Sequence, residues 1–331
     1  MLLTLLLASA SACGGFSVRV NGSAEAAPGG FLLAVGDSVA LSSESEGPVE
    51  WLLVTPVGGT FWNGTDEGAR LGPVATLCYS VESLLGEEAD LVFTAGRAEG
   101  LPSPGTFYVV TDPGLAPGDT LRTAEPLYDV LPGQAAQFVV RPDDSYAGYL
   151  MELMGTPFVM APRWTPSGRH QADSRLGADC AGFAIYGKRR QGFDYRYLGP
   201  RGILPYLVPL MGGAFLPGPP GGPGAEGVYR SADGASVPTA GDGLRRGDIV
   251  HFGDQVSVFY ADAGMEGVLD LSDTLLQCWI GGPRFCTVAE SGFAHLPVRV
   301  YRWVDETDAA GSPSLPATPP DGGTIIEGKA S

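Results

Sequence analysis

One cysteine and one histidine in this sequence could be brought together by folding to do chemistry. Cys180 lies in the segment 178–186 (ADCAGFAIY), where Asp179 can cap a helix that begins at the cysteine. His251 follows in a strand-like segment, 246–252. A thiol at a helix start can ionise at neutral pH, because the positive end of the helix dipole favours the thiolate. The sequence therefore predicts Cys180 as a nucleophile and a distant imidazole as its base.

The elements around these residues predict an α+β domain. Apolar residues at helical spacing predict a helix over 146–154, with Asp144 or Ser145 as N-cap and Gly155 as its end. A second short helix is expected from Cys180 to about residue 190. Two strands, 247–252 and 255–262, are expected to be joined by a tight turn at 253–254. Further strands are expected at 275–279, 287–288 and 298–303.

Four segments carry a resemblance to a known family. They are 155–159 (GTPFV), 179–183 (DCAGF), 246–250 (RGDIV) and 255–260 (QVSVFY). In this order they resemble the NlpC/P60 family of papain-like cysteine peptidases, over about residues 145–304. The resemblance implies an α+β fold in which the nucleophile opens a helix packed on an antiparallel sheet. That sheet supplies a histidine and a third polar group.

Carried onto this sequence, the resemblance makes Cys180 the nucleophile. The position of the family's histidine is occupied here by Gln255, and Gln277 fits the third, polar position best. A glutamine cannot take a proton from a thiol at neutral pH. Two explanations stay open: His251 could be the base in a shifted arrangement, or the site could be degenerate and only bind a peptide or glycan.

The geometry of a hairpin bears on the first explanation. In a two-residue hairpin Phe252 pairs with Gln255 and both point to one face, so that His251 points to the other. If Gln255 faces Cys180, His251 needs a bulge or an odd turn to reach the thiol. His170, in a loop ahead of Cys180, is a second candidate, either as a substrate contact or as an alternative base. Asp179 is expected to cap the helix and to orient the site.

The first part of the chain predicts a separate β-rich domain. Short apolar runs alternate with turn residues over 13–112, which indicates a β-sandwich, possibly of immunoglobulin type, with Trp51 and Cys78 in its core. Residues 113–144 are expected to form a connector. The tail, 305–331, is rich in Pro, Ser, Gly and acidic residues and is expected to be disordered.

Composition excludes some partners. The chain has 331 residues and a net charge of −17, so that its surface repels the phosphates of nucleic acids. The sequence contains no metal-ligand spacing and no phosphate-binding glycine loop, and we therefore expect no cofactor and no metal. Cys278 and Cys286 flank a turn and could bridge a hairpin if their Cα atoms come close.

The N-terminus predicts export. Residues 1–12 combine an apolar run with small residues, as in a signal peptide, and Cys13 follows them as the lipidated cysteine of a bacterial lipobox does. The protein would then lie in the periplasm or at the cell surface. Its only membrane contact would be an N-terminal lipid anchor on Cys13.

These observations predict an exported cysteine hydrolase. By resemblance it would cleave amide bonds in peptidoglycan stem peptides or a related peptide substrate. A degenerate NlpC/P60-like module that binds the cell wall is the second hypothesis, and a structural surface lipoprotein is the third.

Overall fold

The computed structural model describes residues 15–25, 30–45, 47–63, 74–97, 101–112, 114–218 and 227–304. Over these residues the protein is a mixed α+β structure, built mostly of sheets with few helices. The expected signal peptide 1–12, the expected lipidation at Cys13 and the expected disordered tail 305–331 lie outside the described residues. None of the helices described is long and apolar enough to cross a membrane.

In the first part of the chain, the described residues form two large sheets. One has four strands in the order β2-β1-β4-β8, and the other has six in the order β10-β7-β5-β9-β11-β3. A one-turn helix, α1 (Leu127–Val130), precedes β11. The strands are β1 (Phe16–Val20), β2 (Ser23–Glu25), β3 (Gly30–Ala34), β4 (Ser38–Ser43), β5 (Trp51–Pro56), β6 (Thr60–Trp62), β7 (Leu77–Gly86), β8 (Asp90–Thr94), β9 (Gly105–Val110), β10 (Thr120–Thr123) and β11 (Ala135–Arg141).

Aromatic side chains fill the space between these two sheets. Trp51 of β5 is fully buried, and its ring meets the Phe16 ring edge-on at 5.3 Å between centroids. Phe107 of β9 stacks on Phe138 of β11 at 5.6 Å. Such rings bury large apolar areas, which is the main source of stability in a core of this kind. The prediction that Trp51 lies in the core is confirmed, whereas Cys78 is only half-buried.

The sequence predicted a connector over residues 113–144, and this prediction is wrong. Two segments of this range belong to the larger sheet. Strand β10 pairs with β7, and β11 pairs antiparallel with β9 and parallel with β3. Most residues of β11 are buried, since it lies in the sheet interior. The β-rich part therefore extends to Arg141.

The second part of the chain packs two helices on an antiparallel sheet. This sheet has six strands in the order β13-β20-β16-β17-β18-β19. Two 3-10 turns occur at Leu204–Tyr206 and Ala289–Ser291. The other elements are α2 (Tyr146–Met151), β12 (Phe158–Met160), α3 (Cys180–Arg190), β13 (Leu207–Pro209), β14 (Leu216–Pro217), β15 (Tyr229–Arg230), β16 (Ile249–His251), β17 (Val256–Ala261), β18 (Thr274–Trp279), β19 (Gly282–Thr287) and β20 (Arg299–Trp303).

The helix starts follow from local capping chemistry. The Ser145 hydroxyl accepts a hydrogen bond from the N–H of Gly148 at the start of α2. The Asp179 carboxylate accepts one from the N–H of Gly182 at the start of α3. Both caps satisfy N–H groups that have no partner within the helix. The predicted start of α3 at Cys180 is confirmed, whereas α2 ends at Met151, before the expected end.

The aspartate of the RGDIV segment is structural. Asp248 is fully buried, and its carboxylate pairs with the Arg302 guanidinium of β20 through contacts of 2.8 and 2.7 Å. It also accepts a hydrogen bond from the N–H of Arg245 at 2.8 Å. A charge-assisted pair with two contacts fixes both partners in orientation. Asp248 thus ties the start of β16 to β20.

The two faces of the six-stranded sheet support different cores. Side chains of Ile249, Val258 and Leu276 face α2 and α3, and they pack with helix residues such as Ala181 and Ile185. Successive residues of a strand point to opposite faces. Their neighbours along the strands therefore join a second core on the far side of the sheet, among them Val250, Phe259 and Leu275.

The β-rich part and the α+β part are joined by direct pairing. Strand β12 pairs in parallel with β6, and Val159 of β12 is buried in an apolar cluster of the β-rich part. The Asn63 amide donates to the carbonyl of Ala161 and to the side-chain oxygen of Gln171, both at 2.7 Å. Since backbone and core residues are shared, the two parts form one packed body.

Cys278 and Cys286 do not form the disulfide that their spacing allowed. Both are free thiols, and they lie on neighbouring strands, β18 and β19. Cys278 pairs in register with Pro283, and Cys286 pairs with Leu275. Residues that pair across strands point to the same face, so Cys278 faces the helices and Cys286 faces the other core. A bridge between opposite faces of a sheet is geometrically excluded.

Candidate functional site around Cys180

Cys180 occupies the first residue of α3, as the sequence predicted. Its side chain is only 5% exposed and belongs to the core between α3 and the sheet. Asp179 immediately before it is held by the N–H groups of Gly182 and Ala161. The thiol therefore lies at the helix N-terminus, but it points into the protein interior and not to solvent.

Burial controls the acidity of this thiol. Loss of water around the sulfur raises the pKa of Cys180 to about 12, and the neighbouring Asp179 charge adds to the rise. Hydrogen bonds from the N–H groups of Val256 and Ala181 lower it only in part. We expected a helix start to lower this pKa, but removal from water outweighs the dipole. The thiol is therefore protonated at neutral pH.

The strand opposite Cys180 presents an aliphatic residue to the thiol. The Cys180 sulfur accepts its strand hydrogen bond from the N–H of Val256, the first residue of β17. Val256 is buried in the same core as Cys180. This is one residue after Gln255, which the family resemblance had placed at the position of the base. A one-residue difference in a strand exchanges the two faces, and here it puts Val256 toward the thiol.

Gln255 forms only backbone hydrogen bonds in this region. Its amide donates to the carbonyl of Val256 at 3.2 Å and, more weakly, to that of Cys278 at 3.4 Å. Its side-chain oxygen is buried without a hydrogen-bond partner in the described part of the chain. Gln255 therefore has no hydrogen bond to the Cys180 thiol.

Gln277 points to the far side of the sheet. Its neighbours Leu276 and Cys278 face the helices, so that alternation along β18 turns Gln277 away from Cys180. Its amide donates to the carbonyl of Ser291 at 3.2 Å, and its oxygen accepts from the Cys286 thiol at 3.3 Å. The structure does not bring Gln277 to the thiol.

His251 lies on the helix-facing side of the sheet but is held by backbone groups. It pairs with Val256 in register, so the hairpin keeps a two-residue turn without a bulge. Its Nδ1 accepts a hydrogen bond from the N–H of Gly253 at 3.1 Å. An N–H can only donate, so the proton must be on Nε2, which donates to the Pro200 carbonyl at 3.0 Å.

These contacts leave no nitrogen of His251 free to act as a base. Burial also lowers the pKa of its imidazole below the ordinary value. No hydrogen bond joins Cys180 to a histidine within the described ranges. The sequence analysis placed Gln255 on the face of the sheet that packs against the helices. The structure has His251 on that face and Gln255 on the other.

His170 is bound in the same way. Its Nδ1 accepts from the N–H of Ala172 at 3.3 Å, and its Nε2 donates to the Pro162 carbonyl at 3.1 Å. The ring stacks on Tyr197 at 3.7 Å. Burial lowers its pKa to about 4, so the ring is neutral at pH 7. His170, which was expected to contact substrate, is therefore a buried and neutral residue.

The segment that His170 holds lies over the start of α3. We call residues 161–171 the cover segment. The N–H of Ala161 binds Asp179, and the Pro162 ring packs against Gly182, within 3.5 Å of where a side chain would begin. Ala161 itself has a left-handed φ of 52°, which is uncommon for a residue with a side chain. The cover segment therefore contacts Asp179 and Gly182 at the start of α3.

Cys278 is a second thiol of this core that the sequence analysis did not place at the site. Its sulfur donates to the carbonyl of Ala178 at 3.0 Å. Burial raises its pKa, and the nearby Asp179 charge raises it further. Alternation along β18 was the signal available, since it puts residues 276 and 278 on one face.

The surroundings of Cys180 favour its protonated thiol over the thiolate. The protonated thiol of Cys180 lies near Val256, Cys278 and the buried carboxyl of Asp179. Among the described residues, no neighbouring imidazole can remove its proton. Over the described ranges no three histidine, cysteine or acidic side chains come together to hold a metal ion.

Comparison with known proteins adds no relationship. No protein-family model, no curated protein and no solved structure matches this chain significantly.

Proposed function

We propose that this chain is an exported NlpC/P60-like module that binds a peptide or glycan of the cell wall without cleaving it. The observation that carries the proposal is that the strand residue whose N–H meets the Cys180 sulfur is Val256, an aliphatic residue of the same core, and not a residue that could act as a base. Two further points support it. The thiol pKa is about 12, and both histidines discussed above have their ring nitrogens occupied by backbone groups.

The resemblance at residues 155–159, 179–183 and 246–250 supports the NlpC/P60 part of the proposal. These segments lie on β12, on the start of α3 and on β16 with its preceding turn. A helix opened by a cysteine and packed on an antiparallel sheet agrees with what the family implies. Export rests on the signal-like residues 1–12 and on Cys13.

Exposed aromatic rings support a binding role. Trp164 of the cover segment is 55% exposed and meets the His170 ring edge-on at 5.8 Å. Trp62, on the strand that pairs with β12, is 64% exposed. Large exposed aromatic side chains are useful anchors for a partner, because they bury much area at little entropic cost.

A binding assay with insoluble peptidoglycan tests this proposal. We expect the chain to co-sediment with it, to release no soluble fragments, and to behave identically as Cys180→Ala. Cys78→Ala serves as a matched control, since Cys78 is a half-buried thiol outside this core. Fragment release that Cys180→Ala abolishes and Cys78→Ala retains would refute the non-catalytic assignment. Absence of co-sedimentation would refute the binding assignment.

The cysteine hydrolase is the second candidate. It is favoured by the position of Cys180 at the N-terminus of α3, where backbone N–H groups could stabilise an oxyanion. This activity requires the cover segment to move away and an imidazole to reach the thiol. The same assay decides between the two candidates.

A further inference from the structure

Two thiols of the α+β core meet at the start of α3. Cys180 is the first residue of this helix, and Cys278 belongs to β18 of the sheet on which the helix packs. Both thiols are free in this structure, and both are buried in one apolar core. They are about a hundred residues apart in the sequence. The fold therefore brings together two cysteines that are remote along the chain.

The thiol of Cys278 reaches the backbone that leads into α3. Its Sγ donates to the carbonyl of Ala178 at 3.0 Å, and Ala178 is two residues before Cys180. The same carbonyl accepts a hydrogen bond from the N–H of Val159 in β12, also at 3.0 Å. The entry to the helix is thus fixed between β12 and the Cys278 thiol. The Cys278 side chain points at the segment that carries Cys180.

The thiol of Cys180 reaches the same place from the helix. Its sulfur accepts a hydrogen bond from the N–H of Val256 in β17. Strands β17 and β18 pair Ser257 with Gln277, and the next position of this antiparallel ladder puts Val256 opposite Cys278. Residues opposite each other in such a ladder have Cα atoms about 5 Å apart. The Cys180 sulfur therefore contacts the strand residue that lies beside Cys278.

The other two cysteines that the structure describes lie elsewhere. Cys286 is on the opposite face of the sheet, where its thiol donates to Gln277, and Cys78 belongs to β7 of the β-rich part. Cys180 and Cys278 share one apolar space, so that a thiolate at Cys180 would raise the pKa of Cys278. Each of the two is thus the natural partner of the other.

We propose that Cys180 and Cys278 form a disulfide under oxidising conditions, which links the start of α3 covalently to β18. A disulfide requires Cα atoms within about 7 Å of each other. Hydrogen bonds from each thiol to the backbone beside the other residue hold the two at close range. Export, as proposed above, would bring the chain to a compartment in which such a bond persists.

The bond would form by thiol–disulfide exchange with a small disulfide such as oxidised glutathione. One protein thiolate attacks a glutathione sulfur, which gives a mixed disulfide and releases one glutathione thiolate. The second protein thiol loses its proton to the buffer and attacks the protein-bound sulfur of the mixed disulfide. This step forms the bond between Cys180 and Cys278 and releases the second glutathione. Two electrons pass from the protein thiols to the glutathione disulfide. Because both thiols are buried in the native fold, the exchange should occur during folding, when they are accessible.

The bond has two consequences. It closes a loop of about a hundred residues and so restricts the unfolded chain, which stabilises the fold. It also removes the Cys180 thiol, so that the oxidised protein has no nucleophile there. Binding of a peptide or glycan does not need this thiol, and the link can therefore form whether or not the chain binds the cell wall.

Refolding of the full chain in a redox buffer tests this link. The reduced protein is unfolded in urea and refolded with reduced and oxidised glutathione, remaining thiols are blocked with iodoacetamide, and linked peptides are mapped by mass spectrometry. In a sample kept in urea, Cys278 should pair mostly with Cys286, because short loops close more readily. After refolding we expect the peptide that links Cys180 to Cys278 to exceed that product at least severalfold. The urea midpoint of the oxidised protein should lie above that of the reduced protein.

Two variants separate the native link from chance pairing. Cys286→Ala should still give the link between Cys180 and Cys278. In Cys180→Ala, Cys278 should stay reduced after refolding, because Cys286 points to the opposite face of the sheet. The parent protein alone remains decisive if Cys180→Ala fails to fold. Free thiols at both Cys180 and Cys278 after oxidative refolding, or the same distribution of pairs in urea and after refolding, would overturn the proposal.

Discussion

The backbone N–H of Val256 donates a hydrogen bond to the Cys180 sulfur. The strand residue next to the thiol is therefore an aliphatic one, and the thiol belongs to the apolar core that α3 forms with the sheet. A cysteine in such surroundings behaves as a small hydrophobic residue with a weak donor. At the same helix start, an exposed sulfur beside an imidazole would be a nucleophile. The residues around Cys180, and not the helix itself, therefore decide the chemistry of its thiol.

Asp179→Asn should increase the reactivity of Cys180. Asparagine is as good an N-cap as aspartate, so the helix start should persist. The change removes a negative charge that raises the thiol pKa, and a larger fraction of thiolate follows. The rate of alkylation by iodoacetamide at pH 8, measured by mass spectrometry at Cys180, should rise at least severalfold. Asp173→Asn is the control, because Asp173 is not among the groups that shift this pKa; an equal rise there would contradict the argument.

Val256→His should convert the buried thiol into a more reactive one. An imidazole at this position would lie beside Cys180, where its charged form stabilises the thiolate. A fall of one unit in the thiol pKa raises the thiolate fraction tenfold, so we expect alkylation at pH 7 to accelerate at least about tenfold.

Val256→Phe is the matched control for that variant. Phenylalanine has a similar ring without nitrogen, and it therefore reproduces any opening of the core by a larger side chain. Equal alkylation rates for Val256→His and Val256→Phe would show that access, and not the absence of a base, limits the reactivity of Cys180.

Local chemistry made the start of α3 predictable. Asp179 before an apolar helical run is a sufficient cap signal, and the structure has the helix where the sequence puts it. The segment 113–144 was not predictable in the same way. Its strand β11 pairs with β3, about a hundred residues earlier, and no local pattern reports so distant a partner.

The site, too, was predictable only in part from the sequence. Cys180 was found from its neighbours in sequence, whereas the residue opposite it depends on which face of β17 meets the helix. The resemblance in sequence put the base position at Gln255, but the alternation of Val256, Ser257 and Val258 places the valines on the core side. The burial of the thiol could not be predicted either, because it depends on how α3 packs on the sheet, which no local sequence pattern reports.

Glu152→Gln should destabilise the protein strongly. The carboxylate lies between three arginines, and its removal leaves their charges partly buried and without a balancing charge. Breaking a buried ion pair in this way costs about 3–5 kcal/mol. Urea denaturation at pH 7 should therefore show a midpoint well below that of the parent protein. Glu87→Gln, at an exposed turn position, should change the midpoint little; an equally small effect for Glu152→Gln would mean that the arginines do not depend on it.

The pH dependence of stability should separate His170 from Asp179. Burial lowers the pKa of His170 to about 4, below the value of 6.5 expected in the unfolded chain. The unfolded state therefore takes up a proton first as the pH falls. The contribution of neutral His170 is complete above pH 6.5 and decreases toward pH 4, by up to about 3 kcal/mol. In the difference between the parent protein and His170→Gln, this loss should appear as a decrease between pH 7 and pH 4.

Asp179 should have the opposite effect over nearly the same range. Burial raises its pKa to about 6, so that the native carboxyl takes up its proton before the unfolded one, and acidification from pH 6 to pH 4 stabilises the fold. The two trends oppose each other in the parent protein, and only the variants can separate them. Urea unfolding at several pH values should therefore give slopes of opposite sign for His170→Gln and Asp179→Asn relative to the parent. Slopes of the same sign would show that burial does not shift at least one of these two pKa values in the stated direction.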